Sequence, residues 1–150
     1  MFSQIIGYFH ELKGQIQFES GFITESIKSY KKSIQLLPNP ILARIALSSA
    51  ILSLKQNDRE LINFAINNLN DCKIKEPENR NILKQLAGAY NKINQIGRSY
   101  VILSELNLLK KKHKKAKKFA KLALEKLEKD DNIFILRAND IMEIIEIENE

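Results

Sequence analysis

Small, aromatic and turn-forming residues follow one another at helical spacing near the start of the chain. In order, they are Gly14, Gly21, Ser26, Tyr30, Ser33 and Pro38. A small residue lets two paired helices approach closely, a glycine ends a helix in a turn, and a proline stops the helix before it. Ser26 and Ser33 stand where a larger side chain would push the helices apart. The pattern predicts a hairpin of two helices over residues 8–38.

The same order of positions returns in the next segment. A small, a large and a small residue and a proline follow at similar spacing: Ala65, Leu69, Cys72 and Pro77. This order is typical of the tetratricopeptide (TPR) repeat, which is about 34 residues long. Pro38 and Pro77 are 39 residues apart, and we place the extra residues in the connection of residues 55–60. The second hairpin is predicted over residues 41–77, with Cys72 as a small core residue.

Two further hairpins are predicted, and they share a helix. The first helix of the third hairpin, residues 80–110, shows the repeat's apolar, small and aromatic positions: Leu83, Leu86, Ala87, Ala89 and Tyr90. The segment 98–109 closes this hairpin and also opens the fourth, residues 98–129. Small positions of the last second helix are Ala116, Ala120 and Ala123. The fourth repeat lacks the turn glycine and the closing proline.

The final segment is predicted to be an amphipathic capping helix over residues 132–147. Asp131 is the expected N-cap, and the apolar residues assigned to one side are Ile133, Leu136, Ile141, Ile144 and Ile145. Repeat arrays need such a polar-faced cap for solubility. The predicted fold is therefore all-α: a TPR-like solenoid of antiparallel helix hairpins, about four repeats, in a single domain of residues 1–150. A helical bundle without TPR geometry is the alternative.

Composition agrees with a helical globular protein. The 150 residues are 44% hydrophobic and 28% charged, with only five glycines and three prolines. No apolar run reaches the roughly eighteen residues that a membrane span needs. The first residues also lack the basic flank and long apolar stretch of a signal peptide.

The net charge of +6 is concentrated in a lysine-rich run, residues 110–118. Such a run could meet phosphates of nucleic acid or anionic lipid. It has no interleaved aromatic residues and no nucleic-acid-binding motif, so a solvated turn and helix start is favoured over a dedicated binding patch. Nucleic acid is accordingly disfavoured as a partner.

No complete catalytic or metal site is recognised in the sequence. His10 and His113 are far apart with no acidic residue at ligand spacing, and the single cysteine has no partner. The chain contains no HExxH, no Gly-rich phosphate loop and no GxSxG motif, and its acidic residues fall singly on helix faces. We expect no catalytic residue, no bound metal and no cofactor, and we expect that the chain is not an enzyme.

Beyond the generic repeat pattern, parts of the amino-acid sequence resemble one protein family. Three segments carry the resemblance: Tyr8-Phe9-His10-Glu11-Leu12-Lys13-Gly14-Gln15-Ile16, Leu86-Ala87-Gly88-Ala89-Tyr90 and Leu136-Arg137-Ala138-Asn139-Asp140-Ile141. They are similar to the C-terminal TPR region of a bacterial zinc-metalloprotease family. In that family an N-terminal HExxH protease domain precedes the repeats, and the enzyme works in the periplasm on assembly and quality control of outer-membrane proteins. The resemblance runs from about Gly7 to about Ile145, and it includes no catalytic residue.

Together, these observations predict a module that docks protein or peptide segments in the concave groove of the solenoid. The repeat phase assigns seven residues to that groove: Glu11, Gln15, Ser49, Lys84, Asn91, Arg98 and Glu105. Lys84 and Arg98 are expected to present positive charge to an acidic partner. The resemblance implies a metalloprotease domain and outer-membrane assembly components as partners, in the periplasm; without it, the cytoplasm is expected. The alternative is a domain that regulates or targets a protease in cis and binds no client itself.

Overall fold

The computed structural model describes residues 1–148, and the prediction for Asn149 and Glu150 lies outside the described residues. Within residues 1–148 the chain forms eight helices and no strand, so the all-α class is confirmed. The helices are α1 (Phe2–Glu19), α2 (Ile23–Leu36), α3 (Ile41–Leu52), α4 (Arg59–Lys75), α5 (Arg80–Lys92), α6 (Ile96–Leu109), α7 (His113–Lys126) and α8 (Asn132–Glu148).

The chain divides into two compact units of four helices each. The first unit ends at Pro77 and contains α1 to α4, and the second begins at Glu78 and contains α5 to α8. In the first unit each helix packs on the next, and α1 also touches α3. In the second unit α6 packs against α5, α7 and α8.

Close approach between α1 and α2 organises the first unit. A Cβ atom added to Gly14 would lie 2.8 Å from ring carbons of Tyr30, which is too close for a real side chain. Ser26 and Ser33 on α2 are fully buried, as their spacing predicted. The core beside this contact consists of Tyr30, Leu47, Ala50, Ile51 and Ala65.

A buried polar contact joins α3 to α4. The Asn68 amide nitrogen donates to the backbone carbonyl of Arg44 at 2.7 Å and to Ser48 Oγ at 2.9 Å. Ser48 Oγ in turn donates to the Arg44 carbonyl at 3.1 Å. Because the buried amide finds partners, its burial does not carry the cost of an unsatisfied polar group.

Small residues also set the helix spacing in the second unit. Ala116, Ala120 and Ala123 on α7 are fully buried, as predicted. Ala116 and Ala120 pack with Ile141 and Ile145 of α8. At the other end of α7, a Cβ added to Gly97 of α6 would lie 2.7 Å from the backbone nitrogen of Leu127.

The same turn connects three of the helix pairs. After α1, α5 and α6, one residue adopts a positive φ: Gly21 at 83°, Asn94 at 61° and Lys111 at 56°. In each case the next residue donates its backbone N–H to the carbonyl five positions earlier, as Phe22 does to Gln17. This is the Schellman pattern, in which a residue in the left-handed conformation ends the helix.

One prediction about α8 is wrong. Phe134, Ala138, Ile141 and Ile145 form its buried face, whereas Ile133, Leu136 and Ile144 are exposed. At about 100° per residue, Leu136 lies roughly 170° from the centre of the buried face, and Ile133 and Ile144 lie roughly 90–110° from it. The helix is therefore apolar on two faces, and only one of them packs within the second unit.

Candidate functional site: a basic surface on the second unit

Three of the predicted partner-binding residues lie in the first unit. Glu11 and Gln15 are on α1, and Ser49 is on α3. The Gln15 amide donates to Glu19 Oε1 at 3.0 Å, and the half-buried Ser49 accepts a bond at its backbone carbonyl from Ser53 Oγ at 2.8 Å. Glu11 is half-buried near Tyr30, where its charge helps to raise the pKa of the phenol, after the larger effect of burial.

Two predicted residues on α6 form ion pairs, one with Asp131 just before α8 and one with Arg137 of α8. Arg98 Nε donates to Asp131 Oδ2 at 2.7 Å, and Arg137 Nε donates to Glu105 Oε1 at 2.8 Å. The hydrogen bond to Asp131 raises the pKa of Arg98 further, despite partial desolvation of the guanidinium. Asp131 precedes α8 as expected, and its carboxylate accepts the hydrogen bond from Arg98 of α6. The charges of Arg98 and Glu105 are thus compensated inside the unit.

An aromatic ring lies between the same two arginines. The guanidinium carbons of Arg98 and Arg137 are 4.7 and 4.5 Å from the ring centroid of Phe134. Tyr90 of α5 meets this ring edge to face, with centroids 5.7 Å apart. Cation–π contacts of this kind are worth about 0.5–2 kcal/mol each. Arg98 therefore contributes to helix packing, and a partner would have to compete with Phe134 and Asp131 for it.

Lys84 and Asn91 are differently placed, on an exposed face of α5. Gly88 lies between them on the same face, since residues four and three apart are neighbours on a helix. All three residues are exposed, and a Cβ added to Gly88 would meet nothing within 4 Å. This face is open to solvent along most of α5.

A cluster of cations continues from this face. It comprises Arg80, Lys84, Lys110, Lys112 and Lys115, which we call the basic surface. The pKa of Lys110 is lowered, first by partial desolvation and then by the charges of Lys84, Lys112, Arg80 and Lys115. Residues from α5, the α6–α7 turn and α7 are thus within electrostatic reach of one another.

Helix connectivity explains why these cations meet. The short turns after α5 and α6 make each helix fold back on the one before, so α5 and α7 both begin where α6 ends. Asn79 caps α5, accepting from the backbone N–H groups of Asn81 and Ile82 at 3.0 and 3.3 Å. The N-terminal end of a helix carries a partial positive charge. Two such ends therefore add to the positive potential of the side chains.

The sequence interpretation did not include Arg80 or residues 110–115 in the partner-binding surface. It paired Lys84 with Arg98 and treated the lysine run separately. The signal was present, because a hairpin over residues 80–110 with helices of equal length brings the first turn of one helix beside the last turn of the other. Combined with the charge pattern, that would have joined Arg80 and Lys84 to Lys110.

A cleft of about 560 Å³ lies between the α5–α6 turn and the α7–α8 connection, and it contains the Arg98–Asp131 pair. Among residues 1–148, no group of His, Cys, Asp and Glu side chains is arranged to hold a metal ion. Over the same residues, no helix combines the length and apolar character required to cross a bilayer.

Comparison with known proteins gave no match, either to a protein-family model or to a curated sequence.

Proposed function

We propose that this chain is a protein-interaction module that docks an acidic segment of a partner polypeptide on the basic surface. The observation that carries the proposal is the convergence of Arg80 and Lys84 of α5 with Lys110 of the α6–α7 turn. Carboxylates of a partner would be attracted by these cations and by the N-terminal ends of α5 and α7.

The internal charge balance of the basic surface supports this proposal. None of the ion pairs found among residues 1–148 involves its five cations. Like charges held close together repel one another and reduce the stability of the folded state. An acidic partner would relieve that repulsion, and the exposed, side-chain-free position of Gly88 would let a peptide backbone approach α5 beside Lys84.

The family resemblance adds a context to this proposal. In that context the chain is the non-catalytic region of a metalloprotease-type protein of the periplasm. The acidic segment would then belong to a client or to an outer-membrane assembly component. Cis-regulation of a protease without client binding is the competing function, and it predicts no affinity for a free acidic peptide.

The test compares two variants with the same change in net charge. The first carries Arg80→Glu, Lys84→Glu and Lys110→Glu; the control carries Lys28→Glu, Lys32→Glu and Lys55→Glu, all at exposed positions of the first unit. Fluorescence anisotropy measures binding of a labelled peptide rich in Asp and Glu. The parent and the control variant should bind alike, and the first variant should bind at least about tenfold more weakly.

Two outcomes would contradict the proposal. Equal weakening by both variants would mean that net charge, and no particular surface, attracts the peptide. Tighter binding of a single-stranded oligonucleotide of equal charge, with a steep loss of affinity on adding salt, would make nucleic acid the partner instead.

A further inference from the structure

Helix α1 packs within the first unit through two buried glycines, with the partly buried Phe18 beside them against the Tyr30 core. Gly7 and Gly14, seven residues apart, are both buried. A Cβ added to Gly7 would lie 2.8 Å from the Leu37 side chain, as one added to Gly14 would from Tyr30. The backbone of α1 therefore lies directly against its neighbours, and the opposite face of the helix is left outside the core.

That opposite face carries a continuous apolar stripe, which we call the α1 seam. Its residues and their exposed fractions are Phe2 84%, Ile5 61%, Phe9 62%, Leu12 57% and Ile16 56%. Their spacing alternates three and four residues, which is the spacing of the contact positions in a coiled coil. At about 100° per residue, the five side chains fall within less than a quarter of the helix circumference.

The α1 seam is large enough for a specific interface. Taking roughly 150–250 Å² for a fully exposed large apolar side chain, the exposed fractions of these five amount to about 480–800 Å². A standard protein–protein interface buries about 800 Å² on each partner. The largest exposed apolar patch of a typical monomer is about 300–600 Å² and is often functional, and the α1 seam lies near or above the upper end of that range.

We propose that the α1 seam is a homodimer interface, in which α1 packs antiparallel against α1 of a second copy. The spacing of Ile5, Phe9, Leu12 and Ile16 is four, three, four, and it is the same from either end. A two-fold axis between Phe9 and Leu12 would therefore place Ile5 opposite the partner's Ile16 and Phe9 opposite the partner's Leu12. Symmetric contacts of this kind are the commonest in homo-oligomers.

Charge placement on α1 agrees with this arrangement. None of the five seam residues is charged, as expected of the centre of an interface, and the exposed Glu19, the next position at this spacing, lies at its edge. Lys13 lies beside the seam, and in the antiparallel register it is about 7.5 Å along the helix axis from the partner's Lys13. Like charges therefore do not meet across the proposed contact.

The second exposed apolar face of the molecule lacks these properties. On α8, the exposed residues Ile133, Leu136 and Ile147 share their face with the acidic residues Asp140 and Glu143, both also exposed. Burial of unpaired carboxylates between two copies is costly. Leu136 is 61% exposed, closely matching Phe9, and so provides a control position.

Sedimentation equilibrium between about 1 and 100 μM tests the proposal, because this range covers the dissociation constants of moderately stable dimers. The parent chain should form a dimer. The double variant Phe9→Glu with Leu12→Glu should weaken association at least about 100-fold, because it places charges in an apolar contact. The Leu136→Glu control should dimerise as the parent does, and circular dichroism should show equal helix content in all three.

Cysteine cross-linking then tests the direction of the helices, since Cys72 is buried and does not compete. An equimolar mixture of Ile5→Cys and Ile16→Cys chains should form disulfide-linked dimers under mild oxidation, and either variant alone should not. A parent chain that stays monomeric, a double variant that dimerises normally, an equal effect of Leu136→Glu, or cross-links within one variant would each overturn the antiparallel homodimer.

Discussion

At the scale of single residues, two glycines of this chain have opposite packing environments. Gly14 lies where a Cβ would collide with the Tyr30 ring, and Gly88 lies where a Cβ would meet nothing. The repeat pattern predicted close helix approach at Gly14. The sequence alone could not show which of the two positions tolerates a Cβ atom, because that depends on the atoms that a neighbouring helix places there.

Alanine substitutions should separate these two cases. Gly14→Ala should lower the free energy of unfolding by about 1–3 kcal/mol through overpacking. Gly88→Ala should raise it by about 0.5–1 kcal/mol, because alanine is the better helix former and space is available. Urea denaturation of both variants provides the measurement. A stable Gly14→Ala chain would mean that α1 and α2 are further apart than described.

The single thiol should be chemically inert in the folded chain. Burial raises the pKa of Cys72, outweighing the opposing effect of the Arg44 charge, so the neutral thiol is the form that the fold favours. The associated stability is present below the thiol's ordinary pKa and is lost as the pH rises above it.

Labelling with a thiol reagent at pH 7 to 8 tests this prediction. The native chain should react about 100-fold or more slowly than the denatured chain, because reaction requires local unfolding. Ser53→Cys is the control, since position 53 is exposed, and it should add one rapidly reacting thiol. Rapid labelling of the parent chain would show that Cys72 is accessible.

At the scale of helices and turns, the same backbone geometry is formed by three different residues. Gly21 adopts the left-handed conformation without strain, Asn94 tolerates it, and Lys111 pays a conformational cost of about 1–2 kcal/mol. The sequence indicated the first turn through its glycine. It gave no such signal for the turn at Lys111, where helix packing on both sides imposes the geometry.

Substitutions in these turns should therefore differ in sign. Lys111→Gly should stabilise the chain by about 0.5–1 kcal/mol, after the greater entropy of glycine in the unfolded state is subtracted. Gly21→Ala should destabilise it by about 1 kcal/mol. Loss of the Lys111–Glu148 ion pair matters little, because the lysine side chain is 75% exposed. Thermal unfolding of the two variants would contradict this account if both moved in the same direction.

Helix existence could be predicted better than helix orientation. Spacing of small and apolar residues predicted helices in the regions of α1 to α8, since helices need only local periodicity, although the first hairpin was predicted from residue 8 and α1 begins at Phe2. For α8 the sequence offers two apolar faces, and the choice of Phe134 over Ile133 depends on contacts with α6 and α7. The candidate site shows the same limit: Lys84 was assigned to a partner surface and is exposed, whereas Arg98 was assigned to one although it pairs with Asp131, a contact that depends on tertiary structure.

At the scale of the whole chain, the structure divides into two compact units, whereas a single domain was predicted from the length. Each unit contains its own core, around Tyr30 and Leu47 in the first and around Ala120 and Ile145 in the second. A continuous repeat pattern does not reveal such a division, because repeats of one type follow each other on both sides of it. Only the burial pattern distinguishes a separate core from a shared one.

The second unit should fold by itself. A chain of residues 78–150 retains α5 to α8, the buried alanines of α7 and both arginine contacts to Phe134. Domains of about this size bury roughly 60% of the surface of the unfolded chain and many are stable alone. Circular dichroism should show a helical spectrum and a cooperative thermal transition. Ile145→Ala in the same fragment, at a position 1% exposed, should lower stability by about 2–5 kcal/mol. A fragment with the spectrum of an unfolded chain would show that residues 78–150 depend on the first unit, and the single domain would then be the correct description.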